Sequence, residues 1–276
     1  MLRLFRRNRL GLVGSLLLVF VVVIAIFAAQ IAPYPKDAGR VVHLREAFKP
    51  PSKMHWFGTD DMGRDLFSRI IFGTRISLRI GVLSIFFSTL IGMFVGTLAG
   101  YAGGLVDEVI MRIADIFMSV PYVILGMAIA VALKPGLSNV IIAIMVVFWP
   151  GTARIMRGEV LRVREREYVE ACRALGMGHW RTMWRHIVPN AVAPVLVQST
   201  IQVGWAILLA ATLSFVGVGV QPPLPEWGLM ASTARRYLNI AWWYATFPGL
   251  AIVLTVMGFN LVGDWLRDTF DPYLRA

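Results

Sequence analysis

Long apolar stretches alternate with short polar ones along the whole 276-residue chain. A helix needs roughly 20 predominantly apolar residues to cross a hydrocarbon core, and six stretches meet or approach that length. They cover 10–31, 76–101, 116–133 and 137–153, with a fifth inside 187–225 and a sixth inside 237–263. Only Lys134-Pro135-Gly136 separates the third from the fourth, which predicts a tight turn and a helical hairpin. The pattern as a whole predicts an all-α polytopic membrane protein with six transmembrane helices.

Composition agrees with that class. Hydrophobic residues make up 57% of the chain, charged residues 16%, and the mean hydropathy is +0.67. A soluble domain is nearer 45–50% apolar and about 25% charged. The net charge of +11 does not point to nucleic acid, because Lys and Arg also collect in the cytoplasmic loops of membrane proteins. No nucleic-acid motif accompanies the charge. The single cysteine, Cys172, excludes an intrachain disulfide and a thiolate metal cluster.

Arg3, Arg6, Arg7 and Arg9 precede the first apolar run. A secretory signal has an apolar region of about 7–15 residues, and this run is longer, so an uncleaved anchor is expected. Six spans put both termini on one side of the membrane. Fifteen of the 27 Lys and Arg residues fall on that side, which favours cytoplasmic termini. The expected organisation is an anchor helix and outer loop over 1–75, a transmembrane domain over 76–264 and a tail over 265–276. A cytoplasmic loop interrupts the domain over 154–189.

Several segments carry more specific signals. Gly92, Gly96 and Gly100 recur at four-residue spacing, which lets two helix backbones approach closely. Intramolecular packing is the plain reading, and a seam between subunits is the other. Arg112 and Asp115 stand at i,i+3 near the start of the third span, as an interfacial pair or a gate. The loop HWFGTDDMGRDLFSR (55–69) lacks the spacing of a calcium loop, and turn chemistry accounts for its Gly and Asp residues. GVGVQPPLPEWG (217–228) predicts an irregular, stiff connection. Trp227, Trp242, Trp243 and Tyr244 suit anchoring at the headgroup level.

No phosphate loop, H-E-x-x-H or G-x-S-x-G occurs. A membrane enzyme or a self-contained ATPase therefore finds no support, and no metal or other cofactor is expected in this chain.

The segment 154–189 is too polar to cross. RIMRGEVLRVREREYVEACRAL is rich in helix formers, and Glu159 can meet Arg162, as Glu170 can meet Arg166 or Arg173. Gly176 and Gly178 then offer left-handed turn positions. A second helix over 179–188 aligns Trp180, Met183, Trp184 and Ile187 before Pro189 breaks the bonding. Such a hinged pair suits either a membrane interface or a groove on a soluble partner.

Glu170-Ala171-Cys172 with Gly176, followed by His186-Ile187-Val188-Pro189, resembles the EAA signature of binding-protein-dependent ABC importer permeases. Cys172 stands where that signature has a small residue, usually Ala, and Val188 where Leu is common. HWFGTDDMGRDLFSRIIFGTRISL (55–78), LSFVGVGVQPPLPEWG (213–228) and FPGLAIVLTVMGFNLVGDWLRDTFDP (247–272) are similar to the C-type permease of the dipeptide, oligopeptide and nickel group. Four blocks in the same order extend the resemblance over about 5–275.

The resemblance implies a type I ABC importer transmembrane domain in a bacterial cytoplasmic membrane. Its implied partners are a homologous B-type permease, two ABC ATPase subunits that hold ATP and Mg, an extracytoplasmic substrate-binding protein and membrane lipid. In the EAA loop, Glu170 would contact an ATPase subunit, Ala171 would pack on it, and Gly176 would permit the turn. Short peptides are the expected cargo, with nickel chelates, glutathione and other small solutes as alternatives. A stand-alone channel would need no such loop.

Overall fold

A computed structural model describes residues 9–270. Among these residues every regular element is helical. The principal helices are α1 (Arg9–Ile26), α2 (Leu66–Ala102), α3 (Gly104–Ser119), α4 (Tyr122–Leu133), α5 (Leu137–Arg164), α6 (Glu167–Ala174), α7 (His179–Val216), α8 (Trp227–Ala234) and α9 (Trp242–Phe270). α1, α2, α5, α7 and α9 are each long and apolar enough to cross a membrane.

The third expected span is broken. α3 and α4 meet at 92° where a straight helix over 116–133 is expected. Pro121 is the cause: its ring disfavours helical backbone in the residue before it, and Val120 is extended at φ −94°, ψ 132°. At 12 residues, α4 is about 18 Å long, too short to cross alone. The hairpin to α5 does form, with Asn139 Nδ2 donating to the carbonyls of Leu133 (2.6 Å) and Lys134 (3.1 Å).

α2 starts ten residues before the expected span. Asp65 caps it by accepting from Ser68 N at 2.8 Å, which satisfies an orphan donor. Its 37 residues reach about 55 Å, so its two ends lie at opposite faces of the molecule. α5 likewise runs through Pro150, past Ala153 and on through Arg154, Arg157 and Arg162 to Arg164.

The pair α2 and α5 packs most extensively, and α7 lies against both. Ile80 of α2, Ala130 of α4, Ile144 of α5 and Ile207 of α7 meet in one buried core. α9 packs on α7, and α1 rests on α9 and α2, with Gly11 and Gly14 close against Trp265 and Leu261.

The connection expected over 217–228 is irregular from Gly217 to Glu226 and passes into α8 at Trp227. Glu226 caps it, its carboxylate accepting from Gly228 N and Leu229 N, both at 2.8 Å. Most of the expected anchor aromatics turn inward. Trp227 donates to Ile70 O at 3.0 Å, Trp243 to Thr59 O at 3.3 Å, and the Tyr244 hydroxyl to Asp61 at 2.9 Å. All three are buried, and Trp242 stays exposed. Buried aromatics with a polar end need such partners, and the loop before α2 supplies two of them.

Candidate coupling site on the basic loop

The helix expected over 154–175 divides in two, with the break at Glu165–Arg166. No helix breaker stands there. Val163 and Val169 both enter one buried cluster with Met156, Val160, Ile187 and Ala191. Residues six apart on a straight helix lie about 120° from each other at 3.6 residues per turn, so the chain must bend to bury both. α6 then stands as an eight-residue helix held by Val169.

Its far end closes as a Schellman motif. Gly176 N donates to Arg173 O at 2.9 Å and Met177 N to Cys172 O at 3.1 Å, with Gly176 left-handed at φ +75°. The second glycine does otherwise: Gly178 is extended at φ −61°, ψ 145° and leads into α7.

Instead of ending at Pro189, the second helix runs on into the membrane. A π turn over Met183–Ile187 joins the loop to the body of α7. Proline has no N–H for the regular ladder, and the π turn lies just before Pro189. Asn190 Nδ2 donates to the His186 carbonyl at 2.7 Å. Ile187 is fully buried, His186 partly so, and Pro189 exposed.

Glu170 and Ala171 are exposed, and Cys172 is partly covered. Among the described residues no ion pair joins Glu170 to Arg166 or Arg173, whereas Arg162 does pair with Glu159. Leu175 is 84% and Trp180 64% exposed. Trp180 lies apart from buried Met183 and Ile187 although the spacing aligned them. Two open clefts flank α6. One is lined by Tyr101, Arg164, Glu170, Arg173 and His179, the other by Arg162, Arg166, Tyr168 and Asn190. A projecting helix with an exposed carboxylate, an exposed Leu and an exposed Trp is suited to enter a cleft on another protein.

The loop is also tied to the end of α2. The Tyr101 hydroxyl meets His179 Nδ1 at 2.9 Å, and Arg164 Nη1 donates to the carbonyls of Gly100 (3.0 Å) and Tyr101 (3.3 Å). Nothing in local spacing signals this tie, since Tyr101 and His179 are 78 residues apart.

Gly92, Gly96 and Gly100 face α5 of the same chain. A Cβ would meet Thr152 Cβ at 2.6 Å from Gly92 and Arg157 O at 2.9 Å from Gly100, and would strike the Ala153 carbonyl from Gly96. The expected Arg112–Asp115 pair is not made. Asp115 pairs with Arg154 of α5, because successive turns of α3 lie along α5, and Asp107 pairs with Arg157 at 2.5 Å. Arg112 is exposed.

The family model described as binding-protein-dependent transport system inner membrane component matches residues 88–276. A second model, the N-terminal TM domain of oligopeptide transport permease C, matches residues 1–51. The chain is 41% identical to a dipeptide transport system permease protein of Alkalihalophilus pseudofirmus, covering 98% of this chain and 88% of that protein. It is 45% identical to the oligopeptide transport system permease protein of Bacillus subtilis, with the same coverage. A glutathione transport system permease protein of Pectobacterium atrosepticum is 40% identical over 99% of this chain and 90% of its own. The fold matches a chain of the MetNI methionine ABC transporter with a TM-score of 0.61 and 22% identity, over 74% of this chain and 97% of that one.

Proposed function

The chain belongs to the binding-protein-dependent transport system inner membrane component family, and from that membership we propose that it is the C-type permease of an ATP-driven importer of short peptides. It is a permease subunit and not an enzyme. Its partners in this reading are a homologous permease, two ATPase subunits that bind ATP and Mg, and an extracytoplasmic binding protein. Both termini face the cytoplasm. Residues 1–75 form the anchor helix and outer loop, 76–264 the transmembrane domain and 265–276 the tail.

The observation that carries the reading is the exposed helix Glu167–Ala174, fixed at both ends to membrane-crossing helices. Its chemistry suits a docking element. Glu170 offers a charge-assisted hydrogen bond, Ala171 a small surface for close packing, and Leu175 and Trp180 apolar area. The Schellman turn at Gly176 and the buried Val169 keep the helix at a set angle. Movement imposed on it passes to α5 through Val163 and Val169, to α7 through the π turn and to α2 through Tyr101. The path then alternates between outer and inner openings. The dipeptide and oligopeptide permeases among the relatives support short peptides as cargo.

Purification of the chain with its co-expressed partners tests the reading. It should bring down the ATPases and give peptide uptake in proteoliposomes that requires ATP. Uptake by this chain alone, or none in the complete assembly, contradicts it.

A further inference from the structure

The face opposite the basic loop holds a second concentration of charge. A cavity of about 240 Å³ opens there between the outer loop, the Pro222–Pro223 turn, α8 and the start of α9. Three guanidinium side chains line it, from Arg40, Arg64 and Arg69. The apolar wall is made by Val42, Met62, Pro222, Pro223, Leu229 and Met230.

The arginines are incompletely compensated. Asp60 Oδ2 accepts from Arg64 Nε at 2.7 Å. The same oxygen stands 3.3 Å from Arg69 Nε without a hydrogen bond, and that buried nitrogen has no other acceptor. The Arg69 side chain is only 5% exposed. Asp61 accepts from the Tyr244 hydroxyl at 2.9 Å and is 4.0 Å from Arg64. Arg40, at the mouth, is exposed and makes no ion pair among the described residues. Two carboxylates therefore stand against three guanidinium groups, and Arg69 has besides them the Asp37 carbonyl, to which its Nη1 donates at 3.0 Å. Burial pushes the Asp60 carboxyl above the usual carboxylate range, against the pull of Arg69 and Arg64. A desolvated guanidinium gains most from a planar, bidentate anion.

We propose that this cavity is a carboxylate-recognition site for a residue carrying an apolar side chain beside its charge. The guanidinium side holds the carboxylate and the Met, Pro and Leu wall holds the side chain. Its volume is below the roughly 300 Å³ at which pockets for whole small ligands begin, so it suits one residue rather than a complete peptide. A dianionic phosphate fits worse, since Asp60 and Asp61 repel a second negative charge. The carboxylate has two possible sources: the end of a peptide cargo, or an acidic residue on the extracytoplasmic binding protein. The second source rests on the importer reading.

Arginine footprinting with phenylglyoxal tests this on the full chain, purified in detergent with its co-purifying subunits and read by mass spectrometry. N-acetyl-leucine is the probe and its neutral amide the control. The acid should shield Arg64 and the amide should not. Arg40→Ala should weaken that shielding about tenfold, the worth of one charged hydrogen bond. If only the purified binding protein shields Arg64, and Arg40→Ala lifts the effect, the same site takes its carboxylate from that protein. Equal shielding by acid and amide, or shielding by neither the acid nor the binding protein, overturns the proposal. The acid arm needs no ATPase, so it reports on the cavity even where the importer reading fails.

Discussion

The hydroxyl of Tyr101 and Nδ1 of His179 lie 2.9 Å apart, joining the last turn of α2 to the first turn of α7. This bond closes a loop of structure that otherwise projects from the helical body. Tyr101→Phe removes it with little change in shape, at a cost of about 1 kcal/mol. In reconstituted complexes it should lower peptide uptake per ATP hydrolysed while leaving subunit association intact. An unchanged ratio would remove Tyr101 from the transmission path.

Gly176 needs its left-handed backbone, at φ +75°. Gly176→Ala pays about 1–2 kcal/mol for that conformation. Gly176→Pro cannot adopt it and also loses the N–H that donates to Arg173 O. The Ala variant should couple partially, and the Pro variant should insert but hydrolyse ATP without uptake. Uptake assays in proteoliposomes with the partner subunits give the order.

At Gly96 even one methyl enters the Ala153 carbonyl of α5. Gly96→Ala should destabilise the protein by about 1–3 kcal/mol, the usual cost of overpacking. Gly158→Ala, where a Cβ meets nothing within 4 Å, is the control. Thermal unfolding in detergent compares them, and equal midpoints would show that α2 and α5 do not depend on this approach.

The two α3–α5 ion pairs should differ. Asp115 and Arg154 are about half exposed, while Asp107 is 16% exposed and bidentate to Arg157. Exposed pairs contribute about 0–1 kcal/mol, and removing one partner of a covered pair leaves the other uncompensated. Asp107→Ala should therefore lower the unfolding midpoint more than Asp115→Ala. The reverse order would contradict the geometry.

Burial raises the Glu226 carboxyl above its ordinary value of 4.5, against the two backbone hydrogen bonds that lower it. The folded state thus holds this proton more tightly than the unfolded one. The resulting stability is present below pH 4.5 and is lost as pH rises through the raised value. Glu226→Gln should be offset by about 1 kcal/mol for a weakened cap, yet lack this loss on going from acid to neutral pH. Parallel wild-type and Gln unfolding curves against pH would refute the assignment.

Features governed by neighbouring residues were legible in the chain. The Lys134-Pro135-Gly136 hairpin and the turn at Gly176 follow from backbone rules that operate over a few residues. The bend at Val120 was also written locally, in Pro121, but the unbroken apolar run around it argued for one straight span. Contacts across long separations were not legible. Trp227 finds Ile70 O and Tyr244 finds Asp61 over more than 150 residues, so aromatics that look like interface anchors became core. Arg154 and Arg157 open the helix expected after the fourth span, yet with partners on α3 that helix is a direct continuation of α5. The EAA signature marked the exposed helix Glu167–Ala174, while the tie to Tyr101 left no mark in sequence spacing.

On the coupling proposal, force enters this chain through the helix bearing Glu170. ATP-driven peptide uptake by proteoliposomes containing Glu170→Lys and all partner subunits tests it most directly. The variant should insert and assemble but lose uptake relative to ATP hydrolysed, because a cation replaces the exposed carboxylate. Uptake at the wild-type ratio would contradict it.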